Sequence, residues 1–411
     1  MSELNSSQQM IASTLDGMMV VDAGPGTGKT HTIVERYINL ISRPDVTPRD
    51  VLLLTFTNNA ATEMDERIKK RMTELGMEKD SKLVQTKTFD AFCLSIVLDS
   101  PDLVSDFFGI SEKLTRAATM NQNDALNRDY FMRFMDGFLT NRGADYGDIS
   151  VIASQDPVAV MYLIYNLMSK GLMPLKRGWF GSNWQKVLKG DTDLVLESLK
   201  TGNTVRKRGG CSNVSVVNSI DDDERYDIPV PDESGCLPEE ALISAADEDR
   251  EMLFRFVHDV YHAYIAQSIA DNRLTFGLTA MFAYAALYNK QSIRDRNSVR
   301  YLMVDEFQDT NANQMMISLM ILKEPNMCVV GDWKQGIYGF RYVSIENITE
   351  FERKAVEYRR FLVEDGNDRV QFRIPEVTTC PLDKNYRSSQ RIIDKAFECI
   401  CLKATKDDDV G

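Results

Sequence analysis

No stretch of about eighteen consecutive apolar residues occurs in the 411-residue chain, so no membrane-spanning helix is expected. Histidine is scarce, at three residues. The seven cysteines (Cys93, Cys211, Cys236, Cys328, Cys380, Cys399 and Cys401) form no C-x-x-C pair. Scattered thiols argue for reduced cysteines and against structural zinc or an iron–sulfur cluster. The opening segment, Met1 to Gln9, is polar and lacks the basic and apolar regions of a secretory leader, so a soluble, cytoplasmic protein is expected. No internal repeat is evident. An excess of positive charge is also missing: 48 Lys and Arg against 61 Asp and Glu give a net charge of −13. That balance excludes a broad basic surface for nucleic acid, but not a narrow groove gripping one strand through a few contacts. Apolar residues, at 43%, suffice for sizeable cores, and the length suits two or three domains.

Strand and helix signals alternate over the first ninety or so residues. Met18 to Asp22 (MMVVD) is a short apolar run ending in a Gly-rich turn, and Ile33, Val34, Tyr37, Ile38 and Ile41 then recur at helical spacing. Val51 to Thr55 and Leu83 to Thr88 read as further strands. From about Ser95 to Leu274 helical periodicity dominates, as in Pro157 to Lys170 and Asp249 to Ala270. Between these two lies Thr201 to Pro238, a segment of loop composition with a basic cluster (Arg206, Lys207, Arg208) and an acidic run (Asp221 to Glu224). Buried-type strands return at Tyr301 to Val304 and Met327 to Val330. Strands on both sides of a helical block imply one α/β domain with another inserted into it. Beyond Glu376 a strand (VTTCPL) and a helix (Ser388 to Leu402) begin, for which the remaining sequence offers no partner strands. The expected division is 1–95 and 275–375 for a first core, 96–274 for the helical insertion, and 376–411 for the opening of a second core.

Ala23 to Thr30 reads AGPGTGKT between a strand and a helix, the context a phosphate-binding loop requires. Gly24, Gly26 and Gly28 are expected to let the backbone, with Thr27, turn its N–H groups toward phosphate oxygens at a helix N-terminus. Lys29 would reach the β- and γ-phosphates, and the Thr30 hydroxyl would bind Mg²⁺. Val304 to Asn311 reads VDEFQDTN at the end of another strand. Asp305 is placed to hold the Mg²⁺ shell and Glu306 to orient and deprotonate water. The second carboxylate points to hydrolysis rather than transfer to a substrate. ATP and Mg²⁺ are the cofactors this pairing implies.

With these two motifs the chain resembles the UvrD/Rep-type superfamily 1 DNA helicases over most of residues 1–95 and 275–390. The resemblance implies a RecA-like, P-loop α/β fold with a parallel sheet and an inserted, mostly helical subdomain. It rests further on LNSSQ, Leu4 to Gln8, similar to an adenine-reading motif in which Gln8 holds the base. TFTNNAATEM, Thr55 to Met64, is similar to a segment meeting single-stranded DNA, with Phe56 and Asn58 as contacts. VVGDWKQGIYGFR, Val329 to Arg341, is similar to a motif joining nucleotide to DNA. There Gln335 can sense the γ-phosphate, Tyr338 and Phe340 can stack on bases, and Arg341 can pair a DNA phosphate or a carboxylate of the motor. LDKNYRSS, Leu382 to Ser389, resembles the motif that stacks Tyr386 on adenine and sends Arg387 to the γ-phosphate across the cleft.

Some family positions differ. Asn59 replaces a usual lysine and Asp90, in TFDAFC, a usual histidine, so those two phosphate contacts are not carried over. Thr275 to Thr279 lacks the acids usual there. His258 and His262 stand at i and i+4 on a helix, as in zinc proteases, but no third ligand is evident and two helix-surface histidines are expected. The resemblance implies an ATP-dependent single-stranded-DNA translocase or helicase, acting on single strands or single/double-strand junctions with repair or replication proteins. A chain holding one core and the start of another is expected to bind nucleotide, to hydrolyse it slowly or not at all, and not to unwind DNA by itself. The alternatives are a nucleotide-switched DNA- or protein-binding module without unwinding and, more remotely, a small-molecule kinase.

Overall fold

Short segments of four to six residues, four of them apolar and buried, form the strands of one sheet. The computed structural model describes residues 4–121, 123–155, 157–181, 250–332, 346–392 and 394–395. The strands are β1 (Met18–Ala23), β2 (Val51–Thr55), β3 (Gln85–Thr88), β4 (Thr119–Met120), β5 (Met173–Pro174), β6 (Trp179–Phe180), β7 (Arg273–Leu274), β8 (Tyr301–Val304), β9 (Met327–Gly331) and β10 (Val377–Leu382). Six of them make one parallel sheet in the order β10-β1-β9-β8-β2-β3. The segments Thr201 to Pro238 and Ala396 to Leu402 lie outside the described residues.

The helices are α1 (Ser6–Ser13), α2 (Lys29–Ile41), α3 (Asn58–Glu74), α4 (Phe89–Asp99), α5 (Pro101–Phe108), α6 (Asp124–Arg142), α7 (Asp148–Gln155), α8 (Pro157–Ser169), α9 (Arg250–Ala270), α10 (Phe276–Asn289), α11 (Gln291–Asn297), α12 (Ala312–Met320), α13 (Glu346–Thr349) and α14 (Phe351–Val363). Side-chain caps set several starts. Thr57 caps α3 directly after β2, and Thr88, the last residue of β3, caps α4. The Asn5/Gln8 and Asn311/Gln314 pairs form capping boxes on α1 and α12.

Alternation along the strands divides the sheet's side chains between two cores. Met19, Val21, Leu53, Met303, Val330 and Cys380 face one side, where α1, α2 and α3 supply Ile11, Ile33, Tyr37 and Ile68. Val20, Leu52, Leu302 and Val329 face the other, where they meet a much larger apolar body. That body runs without interruption from the sheet through α4, α10 and α12 into the inserted helices, including Phe108, Phe131, Phe138 and Tyr264. At its centre α10 is buried from Leu278 to Leu287 and packs against α4, α5, α8 and α12. The Asn313 amide, on α12, donates to the Met168 carbonyl near the end of α8 at 2.7 Å. The helical insertion is therefore continuous with one face of the sheet.

The VTTCPL strand, expected to lack partners, pairs in parallel with β1, with Val21 opposite Cys380 and Ala23 opposite Leu382. Its partner lies some 360 residues earlier, and the order of the sheet leaves β10 an edge where Pro381 needs only one neighbour. The two helix histidines also differ from expectation. Both are half-buried. His258 Nε2 lies 3.0 Å from the Leu175 and Gly178 carbonyls, and His262 Nε2 lies 2.9 Å from the Phe108 carbonyl. They tie α9 to neighbouring main chain. Cys93, Cys328 and Cys380 are buried free thiols.

Arg36, 2% exposed on α2, binds no carboxylate among the described residues. Its guanidinium donates to the Ile11 and Thr14 carbonyls and, at 3.1 Å, to that of Leu15. These are carbonyls that the end of α1 leaves open, and a cation suits them. Arg36→Met is expected to cost about 2–4 kcal/mol, because buried acceptors lose a charged donor. Chemical denaturation checks the loss, and amide exchange in α1 should rise with it. An unchanged midpoint would contradict the assignment.

Candidate nucleotide site

All strands of the main sheet run in parallel, so the loops after β1, β2, β3, β8 and β9 meet along one edge. Ligands of open α/β sheets bind along that edge. The loop after β1 holds its shape through two glycines. Gly26 (φ 72°) and Gly28 (φ 83°) are left-handed, whereas Gly24 is not among the positive-φ glycines. A Cβ on Gly28 would lie 2.6 Å from Gln8 Nε2, and one on Gly26 would lie 2.6 Å from Arg387 Cβ. The Thr27 hydroxyl closes the loop by donating to the Gly24 carbonyl at 2.8 Å. Lys29 and Thr30 then open α2, where free N–H groups and the helix dipole favour an anion.

Lys29 crosses to the end of β8, where its Nζ pairs with Glu306 Oε2 at 3.2 Å. Glu306 is left-handed (φ 51°), a strained conformation for a residue with a side chain and one that clusters at functional sites. Asp305, one residue earlier, is pinned by its N–H to the Leu54 carbonyl at 2.9 Å and is 5% exposed. Its Oδ1 has no hydrogen-bond partner. Burial, and then the Glu306 charge, push its carboxyl up to about 7, partly offset by Lys29. A buried carboxylate oxygen without a donor, next to a lysine and a threonine-bearing helix start, fits an oxygen-loving divalent cation such as Mg²⁺.

The segment after β10 rests directly on the loop. Asn385 donates from Nδ2 to the Pro25 carbonyl at 2.5 Å, and Tyr386 N–H donates to the Gly26 carbonyl at 2.7 Å. Asn385 Oδ1 accepts the N–H groups of Arg387 and Ser388, each at 2.8 Å. Tyr386 and Arg387 therefore stand beside the loop. The Tyr386 hydroxyl accepts from Asn5 Nδ2 at 2.8 Å, leaving its ring exposed. Gln8 is enclosed: Oε1 accepts the Asn5 N–H at 3.0 Å and Nε2 donates to the Thr27 carbonyl at 3.1 Å. Its amide braces the phosphate loop as well as the start of α1.

Phe56 follows β2 and stacks on Phe89 with ring centroids 6.1 Å apart, while Asn58 and Asn59 are exposed in the first turn of α3. Asp90 sits in the first turn of α4. Phe56 and Asn58 thus share the sheet edge with Lys29 and Asp305. Gln335, Tyr338, Phe340 and Arg341 lie outside the described residues, which stop at Asp332 just after β9. Three contributors escaped sequence reading: Asn5, Asn385 and the buried amide Gln308. The Asn-x-x-Gln spacing of a capping box was a usable signal for Asn5. Nothing local marked Gln308.

Asp305 makes the fold pH-sensitive. A carboxyl held up to about 7 when folded, against 3.8 ordinarily, binds its proton more tightly folded than unfolded. Its contribution to stability therefore falls as pH rises between those values and is flat above. Asp305→Asn should raise the metal-free unfolding free energy more at pH 8 than at pH 5, by a difference of about 2–3 kcal/mol. Calorimetry in chelator at both pH values checks this. Equal effects would mean that the carboxyl is ionised throughout.

The profile of the UvrD/REP helicase N-terminal domain matches residues 4–356. The chain is 25% identical over 403 residues to the ATP-dependent DNA helicase PcrA of Staphylococcus aureus (strain NCTC 8325 / PS 47), covering 97% of this chain and 40% of the relative. It is also 25% identical over 400 residues to PcrA of Staphylococcus epidermidis (strain ATCC 12228 / FDA PCI 1200), with the same shares covered. The chain spans about 40% of the length of these curated relatives. With that match running from the Asn5 cap through the phosphate loop and acidic strand end to α14, the chain belongs to the UvrD/REP helicase family by its N-terminal domain.

Proposed function

We propose that this chain is the nucleotide-binding part of an ATP-dependent motor that moves on single-stranded DNA. The observation that carries the reading is the 3.2 Å meeting of Lys29 and Glu306, which brings the phosphate loop and the acidic strand end to one point. ATP would draw Lys29 to its β- and γ-phosphates and release Glu306 to orient and deprotonate the attacking water. Thr30 and Asp305 would hold Mg²⁺, which neutralises charge on the transferred phosphoryl group. Arg387, beside Gly26, supplies a cation for the γ-phosphate, and the exposed Tyr386 ring a face for adenine. Gln8 supports the loop from the base side.

Single-stranded DNA would follow the same sheet edge, over Phe56 and Asn58, with Tyr338, Phe340 and Arg341 as further DNA contacts and Gln335 as the γ-phosphate sensor. On this reading 1–95 and 275–375 form the first core, 96–274 is its insertion, and 376 onward leads to a second core, its first strand closing the sheet of the first. Repair or replication proteins at single/double-strand junctions are the partners this chemistry suits.

ATP turnover with and without oligo(dT) tests the proposal. Stimulation by DNA, falling to background in Lys29→Ala, is the expected result. Turnover indifferent to Lys29 would overturn it. A second reading, a nucleotide-driven switch without unwinding, draws on Asp90, whose carboxylate sits in the first turn of α4 where related helicases carry a histidine. DNA-stimulated turnover without strand displacement would favour that reading.

A further inference from the structure

Gln308 is 2% exposed, and both ends of its side-chain amide are engaged. Nε2 donates to Glu306 Oε2 at 2.9 Å, the same oxygen that Lys29 pairs with. Oε1 accepts the Asp332 N–H at 3.0 Å. The fit is close: a Cβ on Gly331 would lie 2.4 Å from that Oε1. The short helical turn Phe307–Asp309 fixes the Gln308 backbone between the two partners.

We propose that Gln308 is the positioning residue for Glu306, holding its carboxylate by the end of β9 when Lys29 turns to phosphate. The inference rests on the reading of Glu306 as the group that activates water. Of the two donors to the Glu306 carboxylate among the described residues, the lysine is the one a triphosphate competes for. The amide is neutral, buried and anchored to main chain, so it stays. Asp332 also opens the stretch of sequence carrying Gln335 and Tyr338. A shift of the backbone at the end of β9 would reach Glu306 through one side chain.

The test compares Gln308→Met and Gln308→Glu with the unaltered whole protein, using MgATP, oligo(dT) and a fluorescent ATP analogue. Methionine keeps the volume and loses both hydrogen bonds. Glutamate keeps the acceptor for Asp332 but sets a carboxylate against Glu306. Both should lower kcat by roughly 10- to 100-fold, the scale of a lost hydrogen bond to a charged group, while analogue affinity stays within about twofold. A merely structural role would instead weaken binding and kcat together, or leave kcat unchanged in Gln308→Glu. Either result overturns the proposal. Glu306→Gln separates the two readings: if it retains turnover, the assignment of Glu306 fails; if it is inactive while both Gln308 variants turn over normally, only the present inference fails.

Discussion

The ion pair between Lys29 and Glu306 sets the terms for the rest of the molecule. Its partners follow strands that are not neighbours, Lys29 after β1 and Glu306 after β8, with β9 between them. Their meeting at 3.2 Å therefore requires three strands to end at a common level. The parallel registers supply it: Asp22 stands opposite Gly331, and Val304 opposite Val329. Half-buried charges lose hydration, and such a pair stabilises the fold only modestly. Its significance lies in exchange. A polyphosphate offers the lysine a denser negative charge than one carboxylate can.

Around that pair, groups are held in conformations that relaxed chains avoid. Glu306 is left-handed, Asp305 is buried with an oxygen lacking a donor, and two glycines bend the loop where any Cβ would collide. Their surroundings hold them: the Asp305 N–H is bound by the Leu54 carbonyl, the Thr27 hydroxyl by the Gly24 carbonyl, and the Gln8 side-chain amide joins Asn5 to Thr27. Strain concentrated where charges converge is the pattern of a site preorganised for a ligand.

Much of this was legible in the sequence because it is local. Val51–Thr55 and Tyr301–Val304 fall where the apolar runs place them, and the glycine loop and the Asp-Glu pair need only a strand end to be recognised. What escaped depends on distance along the chain. The partner of β10 is β1, near the other end, and no pattern in VTTCPL specifies which strand it joins. Gln8 reads as a base-contacting amide, while its packing against Thr27 depends on how α1 leans on the loop. Gln308 looks like one polar residue in an acidic motif, and only folding brings the Asp332 backbone to it.

The uninterrupted apolar body joining the sheet to the inserted helices has a mechanical consequence. A lobe attached by two strands of polar linker can swing; one that shares a packed interior cannot do so without opening voids. With α10 as a common spine and Asn313 clasping the end of α8, load applied to the helical lobe passes to the stretch of chain beside the acidic pair. The described helices of the insertion are thus packed as one piece with the sheet whose edge carries Lys29 and Glu306, and relative movement has to come from elsewhere.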